Sequence, residues 1–221
     1  MENPCNSPEK KSRLIDLTCT FPQDAVERIR PKEVPLKSAN TAYTGMVYDL
    51  EVNSMYGSYI DLPGHIRETD DGIRADNVPV EDLYRVPCSV IRLDRASGSG
   101  KITGVDLEQA FGSKVTTPAL MINALGELEP YEIERRSVWL DSSAVDWIIS
   151  CGVRLLVSDV FESQSLEGVF LKLFGAGVST VCEPRGMSRI QAKQVELTVL
   201  FPKIPTLTQI PCRVLAEVNN E

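Results

Sequence analysis

Histidine is almost absent from this chain: of its 221 residues, only position 65 is a histidine. A metal centre built from several imidazoles, or a relay that uses two rings, is therefore excluded. Any imidazole chemistry in this protein must be centred on His65.

Paired cysteines and long apolar runs are also missing. The six cysteines show no C-x-x-C spacing, which excludes a zinc ribbon. The start of the chain is polar, so we expect no secretory signal, and no apolar run approaches membrane-spanning length. These absences predict a cytoplasmic protein with free thiols and no membrane partner. Cys182 beside Glu183 could act as a nucleophile, but no second histidine exists to activate it, which favours a buried thiol.

Clustered positive charge is the third absence. The chain carries 23 Lys and Arg against 31 Asp and Glu, which gives a net charge of −8 and a pI near 4.9. Nucleic acids and anionic membranes are bound through clusters of basic residues. The composition therefore predicts no nucleic-acid partner.

The hydrophobic pattern predicts an α/β fold in one domain over residues 13–217, after a disordered tail at 1–12. Strand, helix, strand, helix and strand alternate through 119–182, which favours parallel pairing there within a mixed sheet. Helices are expected at 103–111, 142–151 and 164–175. The last two should pack apolar faces against the sheet, made of Ala144, Trp147 and Ile148 in one and of Phe170, Leu171 and Phe174 in the other. Strands are expected at 14–19, 43–52, 88–94, 119–123, 153–159, 178–182, 195–201 and 209–217, whereas 20–41, which contains three prolines, predicts an extended excursion.

The segment 54–65 has the composition of a sharply shaped loop. Gly57, Pro63 and Gly64 interrupt regular structure, and such a loop can aim Asp61 and His65 at a common point. A structural interpretation is also open, in which Asp61 accepts backbone N–H groups of its own turn and a carbonyl satisfies His65.

The residues Gly57-Ser-Tyr-Ile-Asp-Leu-Pro-Gly-His65 resemble part of the signature of the kynurenine formamidase-like cyclase family, His-x-Gly-Thr-His-x-Asp-x-Pro-x-His. The resemblance continues in order through 15–18, 152–159 and 171–183, and covers about residues 13–217. It implies a swivelling β/β/α domain with a mixed sheet, assembled as a homodimer or a larger homo-oligomer. It also implies an arylformamidase-like hydrolase that acts on a small amide, formamide or lactone-like substrate.

The metal ligands of that family are only partly present here. Members hold one or two divalent metals with two early histidines, an aspartate, a late histidine and a glutamate. The histidine positions correspond to Met55, Tyr59 and Leu171 in this chain, while Asp61 and Glu183 remain. Thioether, phenol and alkyl groups are poor zinc ligands, so the metal site is degenerate and we expect no bound zinc. A weakly bound Mg²⁺, Ca²⁺ or Mn²⁺ at Asp61 and Glu183 is conceivable.

Two functions follow from this comparison. In the first, the protein is a hydrolase in which His65 transfers the proton, Asp61 or Glu183 orients it or holds a cation, and Tyr59 donates a hydrogen bond to the oxyanion. In the second, it is a non-catalytic small-molecule-binding or structural descendant of the family. In either case Met55, Tyr59 and Leu171 would line the substrate pocket.

Two of these positions also have simpler interpretations. Without the resemblance, Met55 and Leu171 are ordinary core residues. Glu183 follows an apolar strand, where ligands gather in an α/β sheet, but it precedes Pro184 and is equally typical of a solvated turn.

Overall fold

Residues 12–219 are described by the structure, a computed structural model, and the predicted tail at 1–12 lies almost entirely outside them. The strands in chain order are β1 Arg13–Asp16, β2 Ile29–Lys37, β3 Ala42–Leu50, β4 Tyr59–Asp61, β5 Val86–Arg92, β6 Gly100–Ile102, β7 Ala119–Asn123, β8 Val138–Leu140, β9 Leu155–Ser158, β10 Ser179–Cys182, β11 Gln194–Leu200, β12 Gln209–Pro211 and β13 Arg213–Val218. The helices are α1 Gln23–Val26, α2 Gly104–Phe111, α3 Ser142–Ser150 and α4 Val169–Gly175.

Nine of the strands form one mixed sheet in the order β1-β13-β11-β5-β7-β9-β10-β4-β12. Strands β5, β7, β9 and β10 pair in parallel, and antiparallel strands flank them on both sides. The parallel strands are almost continuously apolar because both of their faces are covered. The predicted α/β fold with a mixed sheet, parallel across 119–182, is confirmed.

The two faces of the sheet bury different cores. Met121 and Val157 point into one cluster, which is completed by β11 and β13. Leu120 and Leu156 point into the other, which α3 and α4 cover. Alternation along each strand produces this division, since successive side chains lie on opposite faces.

Local sequence signals start and end two of the helices. Thr103 caps α2 in a capping box with Asp106, and Asp141 caps α3 by accepting the N–H groups of Ser143 and Ala144. Gly152, with a φ of 73°, follows α3 in the left-handed conformation that glycine adopts freely.

The packing face predicted for α3 is confirmed: Ala144, Trp147 and Ile148 are all buried. The face predicted for α4 is wrong at Leu171, which is 49 % exposed, while Phe174 is buried. Helix α4 also begins later than predicted, because Gly168 immediately before it is left-handed, with a φ of 83°.

The region 20–50 departs most from expectation. Instead of an extended excursion, 20–41 contains α1 and β2, and β2 pairs with β3 in a hairpin separate from the main sheet. Pro31 and Pro35 are tolerated because a two-stranded ribbon leaves an outer edge toward which their nitrogens can point. Most hairpin side chains are exposed, among them Tyr43, Met46 and Tyr48. No helix within residues 12–219 is long and apolar enough to cross a membrane.

Candidate functional site

Three short strands at one end of the sheet create the candidate site. Strand β4 lies between β10 and β12, and the register places Asp61 beside Thr180 on one side and Gln209 on the other. Two residues earlier in β4, Tyr59 pairs with Cys182. Since side chains alternate, these residues share one face, which is polar, while Ile60 between them points into the apolar core.

Asp61 and Gln209 form the centre of this face. Both are buried, at 4 % and 8 % exposure, and Gln209 Nε2 donates to Asp61 Oδ1 at 2.7 Å. The hydroxyl of Ser54 donates to Gln209 Oε1 at 2.6 Å. Burial raises the pKa of Asp61, and the hydrogen bond from Gln209 and the charge of His65 offset part of that rise.

Cys182 and Tyr59 complete the buried part of the site. The thiol of Cys182 donates to Asp61 Oδ2 at 3.6 Å, and burial raises its pKa far above the ordinary value. Burial likewise raises the pKa of the Tyr59 phenol, and the neighbouring Cys182, Asp61 and Glu183 add to the effect. Both groups therefore stay protonated at neutral pH, so Cys182 is not a nucleophile and Tyr59 is not a phenolate ligand.

His65 stands at the solvent side of this cluster. It ends a single 3₁₀ turn, Pro63–His65, that follows β4, and its side chain is exposed. Its ring meets Phe174 of α4 edge-on, with the centroids 6.4 Å apart at 84°. Its Nε2 lies 3.3 Å from Gln209 Nε2. The loop thus brings Asp61 and His65 together as predicted, but the link between them is the amide of Gln209.

The other predicted site residues lie at the surface. Met55 is 54 % exposed in the loop before β4, and Leu171 is 49 % exposed on α4. Their interpretation as ordinary core residues is therefore wrong. The substrate-binding roles assigned to them, and to Tyr59, remain predictions.

Glu183 follows β10 with a φ of 56°, a left-handed conformation that is uncommon for a residue other than glycine. Its carboxylate is 2.8 Å from Arg185, and its carbonyl accepts the hydroxyl of Ser58 at 2.7 Å. Arg185 also approaches Glu129 at 3.9 Å. The carboxylate of Glu183 is thus neutralised by a neighbouring cation.

The donor set does not fit a divalent metal. Both oxygens of Asp61 receive protein donors, Tyr59 is a protonated phenol, and Glu183 is paired with Arg185. Within the described part of the chain, no three His, Cys, Asp or Glu side chains are grouped so that they could share an ion. We therefore derive no chemical step through a metal, and the weak cation site at Asp61 and Glu183 remains a prediction.

Sequence reasoning missed Gln209 and Ser54. Gln209 is 148 positions from Asp61, and only the register of β4 against β12 makes them neighbours. Its sequence surroundings, Thr-Leu-Thr-Gln-Ile-Pro, indicate a strand but no chemistry. Ser54 was within the segment singled out, yet its partner could not be known without the sheet.

A family model matches most of this chain. The model of the Cyclase family, described as "Putative cyclase", matches residues 15–164, about two thirds of the chain and the whole of β4 and its turn. Comparison with curated proteins gives no match.

Solved structures resemble the whole chain. Isatin hydrolase A from Labrenzia aggregata bound to benzyl benzoate is 17 % identical with a TM-score of 0.72, and the match covers 95 % of this chain and 94 % of that one. Isatin hydrolase A from Ralstonia solanacearum is 18 % identical with a TM-score of 0.65, covering 94 % and 92 %. A potential metal-dependent hydrolase with cyclase activity is 17 % identical with a TM-score of 0.67, covering 96 % and 100 %. At these identities the likeness establishes the fold alone.

Proposed function

Because this chain belongs to the Cyclase family, we propose that it is a hydrolase acting on a small amide, formamide or lactone-like substrate. The observation that carries the proposal is the position of His65, an exposed imidazole directly above a buried polar network, in the segment that resembles the family signature. We further propose that it acts in the cytoplasm, without a nucleic-acid or membrane partner.

The difference in exposure across the site indicates that substrate would approach from the side of His65. Asp61 and Gln209 are buried below, whereas the imidazole is open to solvent. Phe174 supports the ring from the side of α4. A small carbonyl compound entering from solvent would thus meet the imidazole before any other polar group of the cluster.

The chemistry that these residues support is general acid–base hydrolysis. His65 exchanges the hydrogen bond that Gln209 donates to Nε2 for a proton that this nitrogen takes from a water molecule, while the water oxygen bonds to the carbonyl carbon. The carbon–nitrogen or carbon–oxygen bond then breaks, and His65 returns the proton to the leaving atom. Burial raises the pKa of Asp61, and the charge of His65 offsets part of that rise.

Tyr59 is the residue that we propose donates a hydrogen bond to the oxyanion. Its phenol stays protonated because burial raises its pKa, so it can donate an O–H to the developing negative charge. A donor that is already held in place costs little reorganisation when charge develops.

The proposal is tested with a panel of an N-formylated aromatic amine, isatin and a small lactone, the cyclic amide being chosen because isatin hydrolases share this fold. Wild-type protein should hydrolyse at least one class and His65→Ala should not, when product is measured with and without added Mn²⁺. Hydrolysis by both proteins at the same rate would contradict the role of His65.

A second function, non-catalytic binding of a small molecule, is favoured by one observation: the carboxylates that would hold a catalytic metal are engaged by protein groups. It predicts that members of the same panel bind measurably and are recovered unchanged.

A further inference from the structure

We propose that the side-chain amide of Gln209 occupies the place of a divalent cation at Asp61 and makes this site independent of metal. Gln209 is a positioning residue in this proposal: it holds Asp61 and His65 in one network and does not itself react. The inference concerns metal binding and hydrogen bonding, so it does not depend on the proposed hydrolysis.

The amide is bonded on every side. Gln209 Nε2 lies 2.7 Å from Asp61 Oδ1 and 3.3 Å from His65 Nε2, and Gln209 Oε1 accepts from Ser54 at 2.6 Å. An ionised carboxylate only accepts hydrogen bonds, so the nitrogen of the amide, not its oxygen, must face Asp61. The two N–H groups of one nitrogen thus serve the carboxylate and the imidazole together.

A metal ion at this point would compete with the amide for Asp61. Carboxylate oxygens bind zinc at about 2.0–2.2 Å. An ion at that distance from Asp61 Oδ1, on the side of Gln209, would overlap the amide nitrogen, which lies 2.7 Å from the same oxygen. The remaining oxygen of Asp61 receives the thiol of Cys182 at 3.6 Å. The network therefore satisfies the carboxylate with neutral donors.

The backbone holds the amide in this position. Gln209 lies directly opposite Asp61 in the pairing of β12 with β4, and it is buried. Sheet register, rather than a flexible loop, keeps the two side chains adjacent. Gln209→Glu keeps the length of the side chain but replaces the donor with an acceptor, which would leave two carboxylates beside His65.

The first experiment is a calorimetric titration with Mn²⁺ alone. Gln209→Glu should bind Mn²⁺ at least about tenfold more tightly than wild type, because a carboxylate replaces a competing donor. The matched control is the exchanged pair D61N/Q209E, which restores one amide and one carboxylate and should bind no better than wild type. Circular dichroism verifies that each variant is folded. If Q209E does not fold, Q209H is titrated instead, because an imidazole is also a metal ligand.

Two results of the titration would overturn the proposal. One is stoichiometric binding of Mn²⁺ or Zn²⁺ by wild type that Asp61→Asn abolishes. The other is a folded Q209E or Q209H variant with no gain in affinity over wild type.

The second experiment reads the imidazole directly. Because Gln209 Nε2 can only donate, the neutral ring of His65 should accept at Nε2 and carry its proton on Nδ1. The chain has a single histidine, so ¹⁵N-histidine NMR gives one ring to assign. Gln209→Met, of similar size, should remove this preference. A neutral ring protonated at Nε2 in wild type would refute the proposed hydrogen bond.

Discussion

Asp159→Asn should change how the stability of this protein depends on pH. Asp159 follows β9, is largely but not completely buried, and accepts the N–H groups of Ala124 at 2.9 Å and Leu125 at 3.1 Å. Burial raises its pKa from 3.8 to about 7 despite these hydrogen bonds. The residue therefore anchors the loop after β7 while it titrates near neutrality.

The sign of the effect follows from linkage. Between pH 4 and 7, roughly, the folded protein keeps a proton on Asp159 that the unfolded chain releases, so stability falls as pH rises through this window. The shift from 3.8 to about 7 is about three units, and at about 1.4 kcal/mol each it amounts to about 4 kcal/mol at most. Asparagine does not titrate, but it has a single acceptor oxygen, so it loses one of the two hydrogen bonds at every pH.

Urea unfolding at pH 5 and pH 8 measures the difference. Because only wild type titrates at this position, the stability of Asp159→Asn relative to wild type should rise by about 3 kcal/mol between pH 5 and pH 8. Asp141→Asn is the matched control, because the pKa of Asp141 is shifted in the opposite direction. Burial acts to raise this pKa, but hydrogen bonds from Ser143 and Ala144 lower it overall. Curves for wild type and Asp159→Asn that stay parallel over this range would refute the reasoning.

Three further predictions concern catalysis, assembly and helix stability. In the proposed hydrolase, His65→Ala should lower kcat by about 10²–10⁴-fold with little change in unfolding free energy, and Tyr59→Phe should cost less. Steady-state kinetics beside urea unfolding would check both, and an unchanged kcat for His65→Ala would contradict them. Sedimentation at micromolar concentration should give a homodimer or larger assembly. Tyr48→Glu, on the exposed hairpin, should weaken this assembly. A monomeric wild type would contradict the predicted assembly. Thr103→Ala should cost about 1 kcal/mol of unfolding free energy, since it removes the cap of α2; no measurable loss would show that the capping box contributes little.

The centre of the sheet could be predicted from sequence because its signals are local. Strands β7, β9 and β10 are short apolar runs, and α3 has an acidic cap at one end and a glycine at the other. Strand β2 of the hairpin β2–β3 was not predicted, because Pro31 and Pro35 argue against a strand that is paired on both of its edges. Nothing local distinguishes a strand of a separate ribbon from an extended excursion.

The candidate site was predictable only where it is local. Asp61 and His65 are four positions apart, so a shaped loop could bring them together. Gln209 required the order of strands at the edge of the sheet, which β-strand propensity does not determine. The exposure of Met55 and Leu171 likewise depends on how the loop and α4 lie against the sheet.

The polar face of β4 holds a buried carboxylate among hydrogen-bond donors. A buried carboxylate needs compensation, and in a metal site the cation supplies it. Here Gln209 and Cys182 donate to Asp61, and Arg185 pairs with Glu183. An imidazole at position 59 would still find Asp61 occupied by the amide of Gln209. Under the proposed role of Gln209, histidines introduced at positions 55, 59 and 171 should not create a metal site by themselves, because Asp61 and Glu183 are already engaged by protein groups.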